Sequence, residues 1–196
     1  DTPGGRYLQP RGGDGGYMVI MQVPKAAYPG YRGRVEEKRI RLVSEPGTGL
    51  KDTGGIQLHP KDVPGAIAEI RWNEDEERAD GAWWPAGPDW QRAKRDHIVD
   101  AIVAAEIQAV DPSGLCARWA EVLEHPVTAD VNGNPSLSFA DSELRFVAIT
   151  DGRPEGLGGL DLRVTDRAKA LANAAAAGCL GADDLVHICG MRLKLV

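Results

Sequence analysis

The sequence predicts an α+β fold in which βαβββ modules repeat to build cupped mixed sheets. Three observations predict it. Apolar alternating runs of strand length recur in sets, one helical stretch follows the first run of each set, and Gly15-Gly16 and Gly158-Gly159 open two of the sets. A helix after the first strand covers one face of its sheet, which leaves the other face free to curve around a cavity. Propellers also repeat at roughly 50 residues, but their blades carry no helix.

Each element follows from local chemistry. Residues 1–14 are polar and read as an arm or loop. A first module spans 15–72. Its opening strand is Tyr17–Val23, rich in β-branched and large apolar residues. Ala26–Lys38 carries helical charge pairing, shortened at its start by Pro29, Gly30 and Gly33. Ile40–Val43, Ile56–His59 and Gly65–Trp72 then supply three strands. Residues 73–97, charged and then rich in Trp, Pro and Gly, read as a linker. Within it Glu74–Glu77 is a solvated charge run.

A second module spans 98–150. Ile102–Val110 is its first strand, and Asp111-Pro112 gives an N-cap with proline at the first helical position. Leu115, Trp119, Val122 and Leu123 make one buried helix face, and strands follow at Leu137–Phe139 and Leu144–Ile149. A third, shorter βαβββ-like module spans 156–196. Leu160–Val164 alternates strictly, Asp166 caps an alanine-rich helix ended by Gly178, and two short runs flank Gly190.

Composition narrows the function classes. The chain has 196 residues, 42% hydrophobic and 27% charged, ordinary for a soluble globular protein. Its 23 Lys+Arg against 29 Asp+Glu give a formal charge of −6, which repels phosphate backbones and anionic lipid. Nucleic acid and membrane are therefore not expected partners. No run approaches the roughly 18 apolar residues of a membrane span, and no signal peptide opens the chain. The 3 cysteines, Cys116, Cys179 and Cys189, form no C-x-x-C pair and read as reduced, buried small apolar residues. The expected compartment is cytoplasmic.

Gly15-Gly16-Tyr17, Leu58-His59-Pro60-Lys61 and Gly65–Ile70, with Glu69 near the end of the last strand, resemble the vicinal oxygen chelate (glyoxalase-like, glyoxalase/bleomycin-resistance-like) superfamily. The tail from Gly158 to Val196, with its Cys189-Gly190 turn, is similar to a last module of glyoxalase-like proteins. The resemblance implies that modules pair into cupped sheets. It also implies that a divalent metal, where present, is held by the first and last strands of paired modules. Position by position, those places fall at Met18 and Glu69, at Ala104 and Ala148, and at Gly159 and Lys194. One carboxylate among Met, Ala, Gly and Lys does not hold a divalent ion. No cofactor is expected, and a metal only where a leading N-terminal module supplies further ligands. Three modules is an odd number, so either such a module precedes residue 1 or the unpaired module finds its partner in another chain, as in a homodimer.

Alternation assigns inner faces without reference to a metal. Glu69 shares its face with Ile67 and Arg71; Met18, Ile20 and Gln22 share another, as do Ala104, Glu106 and Gln108. Two acids and two amides among apolar atoms would anchor a small molecule. Against this, Glu106 and Gln108 could face solvent on an edge strand. His59 would place an imidazole at the cavity mouth, with Lys61 attracting an anionic group, or else be a turn residue bonded to backbone. Trp83, Trp84 and Trp90 either pack on the sheet exterior or form a lid over a ligand.

The leading expectation is a small-molecule-binding protein without a complete metal site, with Met18, Gln22, Lys61, Arg71, Trp83, Trp84, Glu106 and Gln108 as ligand contacts. The alternative is a lyase, epimerase or isomerase acting beside a carbonyl, with Glu69 as base or metal ligand and His59 assisting. A third reading is an assembly component whose cup serves only for oligomerisation.

Overall fold

The computed structural model describes residues 2–74, 81–87 and 89–196, and the chain divides into two compact units. One is Met18–Lys94; the other joins the residues up to Tyr17 with Arg95–Val196. Most of the acidic run after Glu74 lies outside the described residues.

The segment expected as an arm or loop contains a short helix, α1 (Pro3–Leu8), and a 3-10 turn at Gln9–Arg11. Thr2 supplies the reason: its side chain accepts from the Gly5 N–H, and Pro3 follows as a preset first helical residue.

In the Met18–Lys94 unit the elements are β1 (Met18–Gln22), α2 (Tyr28–Glu37), β2 (Leu42–Ser44), β3 (Thr53–Leu58) and β4 (Ile67–Asn73). The sheet order is β1-β4-β3-β2, with β1 and β4 parallel and the other pairs antiparallel. That is one βαβββ module. Helix α2 begins at Tyr28 because Pro29 suits the first turn, and it buries Val35. Ile56, Leu58, Val63, Ala68 and Ile70 complete the apolar core. Asn73, placed in the linker by sequence, is the last residue of β4.

The other unit holds β5 (Val99–Ala109), α3 (Pro112–Leu123), β6 (Thr128–Ala129), β7 (Pro135–Ser138), β8 (Glu143–Ala148), β9 (Gly156–Val164), α4 (Arg167–Ala176), β10 (Val186–Ile188) and β11 (Met191–Leu195). Its sheet runs β10-β11-β9-β5-β8-β7-β6. The stretch from β5 to β8 repeats the first module's order, with β5 parallel to β8. The β9–β11 stretch is the same module short of one strand, with β9 parallel to β11. The two are joined where β5 and β9 pair antiparallel. Glu106 and Gln108 therefore sit on an interior strand, not an edge.

Helix α3 packs on β5, β7 and β8. Asp111 accepts from the Gly114 N–H at 3.0 Å, and Trp119 meets Phe146 edge-to-face at 6.1 Å between ring centres. Alternation then decides what faces away. Leu144 and Phe146 enter the helix-covered core, so Glu143 and Arg145 project from the opposite face. Cys116 is buried as expected, but Cys179 is only half-buried and Cys189 is exposed in a positive-φ turn. Among the described residues no helix is long and apolar enough to cross a membrane.

Candidate functional site

The helix-free face of the seven-stranded sheet carries a linked set of charges. Arg145 forks onto Asp161, Nη1 to Oδ2 at 2.8 Å and Nη2 to Oδ1 at 2.7 Å. Glu106, the cross-strand partner of Arg145, lies 3.6 Å from the same guanidinium. Arg192 donates to Glu106 at 2.8 Å, to the Gln108 carbonyl at 3.2 Å and to Asp151 at 3.1 Å. Glu106, Arg145, Asp161 and Arg192, with Asp130, Asn132, Asn134 and Lys194, line a hollow of about 140 Å³.

Backbone geometry lets these groups converge. A side chain at Gly159 would put its Cβ 3.0 Å from the Arg192 carbonyl and 3.3 Å from the Glu106 carboxylate. At Gly158 it would lie 2.7 Å from the Arg192 guanidinium. The Gly-Gly pair that opens the third module is thus the surface on which Arg192 and Glu106 rest.

Charge states follow from these bonds. Several carboxylates around Arg145, above all the Asp161 fork, hold its proton more tightly than usual despite partial burial. Burial pushes Asp151 up, but donation from the Gln108 amide and from Arg153 outweighs it and brings the carboxyl down to about 2. Asp130 is likewise lowered against its burial, by the Asn134 amide, the Asn132 and Asn134 N–H groups and the Arg145 charge.

The first module's four-stranded sheet has its own polar face. Glu69 accepts from Arg71 Nε and, at 2.6 Å, from Gln57. Arg71 donates to Thr53 at 3.0 Å, Thr53 to Asn73 at 2.9 Å, and Asn73 to Gln22 at 2.8 Å. The Trp84 N–H donates to Asn73 at 3.2 Å, and its ring lies 5.3 Å from the Arg71 guanidinium. Trp84 therefore covers the polar face, although 47% of it stays exposed.

Two comparisons with known proteins are empty: neither a family model nor a curated protein matches the sequence. Solved structures do match. The Mn(II)-bound glyoxalase from Novosphingobium aromaticivorans superposes with a TM-score of 0.59 at 12% identity, over 91% of this chain and 61% of that one. The 2,2',3-trihydroxybiphenyl 1,2-dioxygenase from Sphingomonas wittichii strain RW1 gives 0.55 at 11% identity, over 91% and 69%. A hypothetical protein from Staphylococcus aureus gives 0.53 at 10% identity, over 91% and 64%. The chain has the vicinal oxygen chelate fold. It spans about two thirds of the length of these structures.

On this face the described residues do not fit a chelated divalent ion. Among the described residues no group of three or more His, Cys, Asp and Glu is placed to hold a metal. At the cup's centre the carboxylates of Glu106 and Asp161 already face guanidinium groups, and a cation entering there would meet the charges of Arg145 and Arg192. The vicinal oxygen chelate positions assigned by sequence need one correction. The closing strand β8 presents Glu143 and Arg145 to this face, while Ala148 belongs to the opposite parity. Gly159 and Lys194 do line the hollow.

The predicted site residues, the catalytic candidate Glu69 and the ligand contacts, fall into two sets. Gln22, Glu69, Arg71 and Trp84 come together on the four-stranded sheet; Glu106 and Gln108 meet on the seven-stranded one. Met18 is half-buried on β1 opposite Ile67, and the half-buried Trp83 joins none of these bonds. His59 is a turn residue whose Nδ1 accepts from the Lys61 N–H at 3.1 Å; Lys61 is exposed. Sequence reasoning missed Asp130, Arg145, Asp161 and Arg192, although strict alternation at 160–164 and the Leu144-Arg145-Phe146 run put Asp161 and Arg145 opposite the apolar face.

Proposed function

We propose that the chain is a small-molecule-binding protein of the vicinal oxygen chelate fold, and that its seven-stranded cup holds its ligand with side chains in place of a chelated metal. The observation that carries this reading is the occupant of the cup's centre. Arg145 and Arg192, each bound to carboxylates, place two positive charges among the carboxylates that a divalent ion would need. A hollow of about 140 Å³ is smaller than the roughly 300–1,000 Å³ of drug-sized sites, so the ligand, or the part that enters, is small and polar.

The enzyme reading built on Glu69 has less support. Both oxygens of that carboxylate accept hydrogen bonds, and the group is buried at 2% exposure against Arg71. As a base or a metal ligand it would first have to give up the Arg71 pair.

Elemental analysis of protein purified without chelator, paired with a thermal-shift screen of small polar compounds, tests the proposal. The expected result is less metal than protein together with stabilising compounds whose effect is lost in Arg192→Met. A stoichiometric divalent ion that survives dialysis would overturn it.

A further inference from the structure

Hydrogen-bonding capacity around the hollow is unevenly spent. Asp161 accepts from Arg145 at both oxygens, and Glu106 accepts from Arg192. Asp130 accepts from the Asn132 and Asn134 N–H groups, each at 2.8 Å, and from the Asn134 amide at 3.0 Å. Each carboxylate that lines the hollow therefore already faces a donor.

Two cationic groups on β11 have donors to spare. Lys194 stands opposite Asp161 in the β9–β11 register, yet forms no ion pair among the described residues; both Asp161 oxygens accept from Arg145 instead. Its exposed ammonium has no partner among the described residues, and all three of its N–H groups are available. Arg192 spends its two terminal nitrogens on Glu106, Gln108 and Asp151, which leaves its Nε–H without an acceptor among the described residues. Both side chains come from β11, two residues apart on one face, and both line the hollow.

Resting on the binding function proposed above, we propose that the group received by this hollow is an anion. A carboxylate or a phosphate fits, held by Lys194 and by the free edge of Arg192. A cationic ligand would find every carboxylate already paired and would add repulsion from Lys194. A neutral ligand would leave the Lys194 charge unused. A carboxylate or phosphate instead offers acceptors only, matching the donors that remain, and it needs no more room than the hollow supplies.

Isothermal titration at constant ionic strength decides the point, with acetate, malonate and inorganic phosphate as anions, methylammonium as cation and acetamide as the neutral counterpart of acetate. Malonate against phosphate separates the two sources of negative charge. Lys194→Gln removes the charge at an exposed position, where folding should be unaffected and can be checked by circular dichroism; Lys194→Arg restores it. At least one anion is expected to bind, roughly tenfold more weakly to Lys194→Gln, with recovery in Lys194→Arg. Equal binding by Lys194→Gln, or no anion binding at all, would overturn the proposal. Methylammonium or acetamide binding in place of the anions would overturn it too, while leaving the metal-free binding function intact. A stoichiometric metal would instead remove that function itself.

Discussion

At the scale of single residues, Glu69 and Arg71 form a pair whose halves depend on each other. Arg71 is 1% exposed, so without the Glu69 carboxylate its guanidinium would be a buried charge beside Thr53 and the Trp84 ring with its ion-pair partner gone. Breaking a buried pair from one side is strongly destabilising, because the surviving charge keeps its desolvation cost. Glu69→Ala is therefore expected to lower unfolding stability by about 3–5 kcal/mol. Glu69→Gln, which keeps an acceptor, should lose distinctly less. Urea titration of the two variants measures the difference, and equal small losses would show that the pair contributes little. Sequence made Glu69 conspicuous because its immediate neighbours are apolar. The same neighbourhood suits a catalytic carboxylate and a structural one, and the bonds to the cross-strand Gln57 and to Arg71 two residues along the same strand tell them apart.

At the scale of elements, the loop between β8 and β9 is tied down by one carboxylate. Asp151 accepts from Gln108 on β5, from Arg192 on β11 and from Arg153 in its own loop, while Arg153 reaches on to the Asp14 and Gly190 carbonyls. Its carboxyl lies at about 2, below the ordinary value near 3.9, so the folded state favours the ionised form. The stabilisation is then complete above about pH 5 and is lost as pH falls from about 4 through about 2. Asp151→Asn is expected to cost about 2 kcal/mol in urea titrations at pH 6 and to match the parent at the acid end of that window. A constant deficit across pH would assign the effect to shape instead of charge. Elements of this kind were legible in unequal measure. The strand-helix-strands order, the Asp111 cap and the Trp119 face could be read because periodicity and capping are local. The charged hollow could not. In Leu160–Val164, Asp161 and Arg163 have the signature of any solvent-facing alternate position. What turns Asp161 inward is the pairing of β9 with β5 and β11 across distant sequence.

At the scale of the whole molecule, the same module topology occurs with and without a neighbour. The opening strand β5 of the second module pairs along its length with β9, the opening strand of the third. The equivalent strand of the first module, β1, ends its sheet; its paired neighbour there is β4. This edge is apolar, Met18-Val19-Ile20-Met21, with Ile20 38% exposed. A strand of this composition at the end of a sheet is a template for another strand. An antiparallel β1–β1 pair between two copies has the two-fold symmetry that isologous dimers require and would repeat the β5–β9 arrangement. Sedimentation is therefore expected to show concentration-dependent dimers. Ile20→Lys, which would bring like charges together across such a pair, should shift the equilibrium to monomer at least tenfold while leaving the far-ultraviolet spectrum unchanged. Monomer at every concentration in the parent chain would dismiss self-pairing at β1. Dimers unaffected by Ile20→Lys would place the contact on another surface.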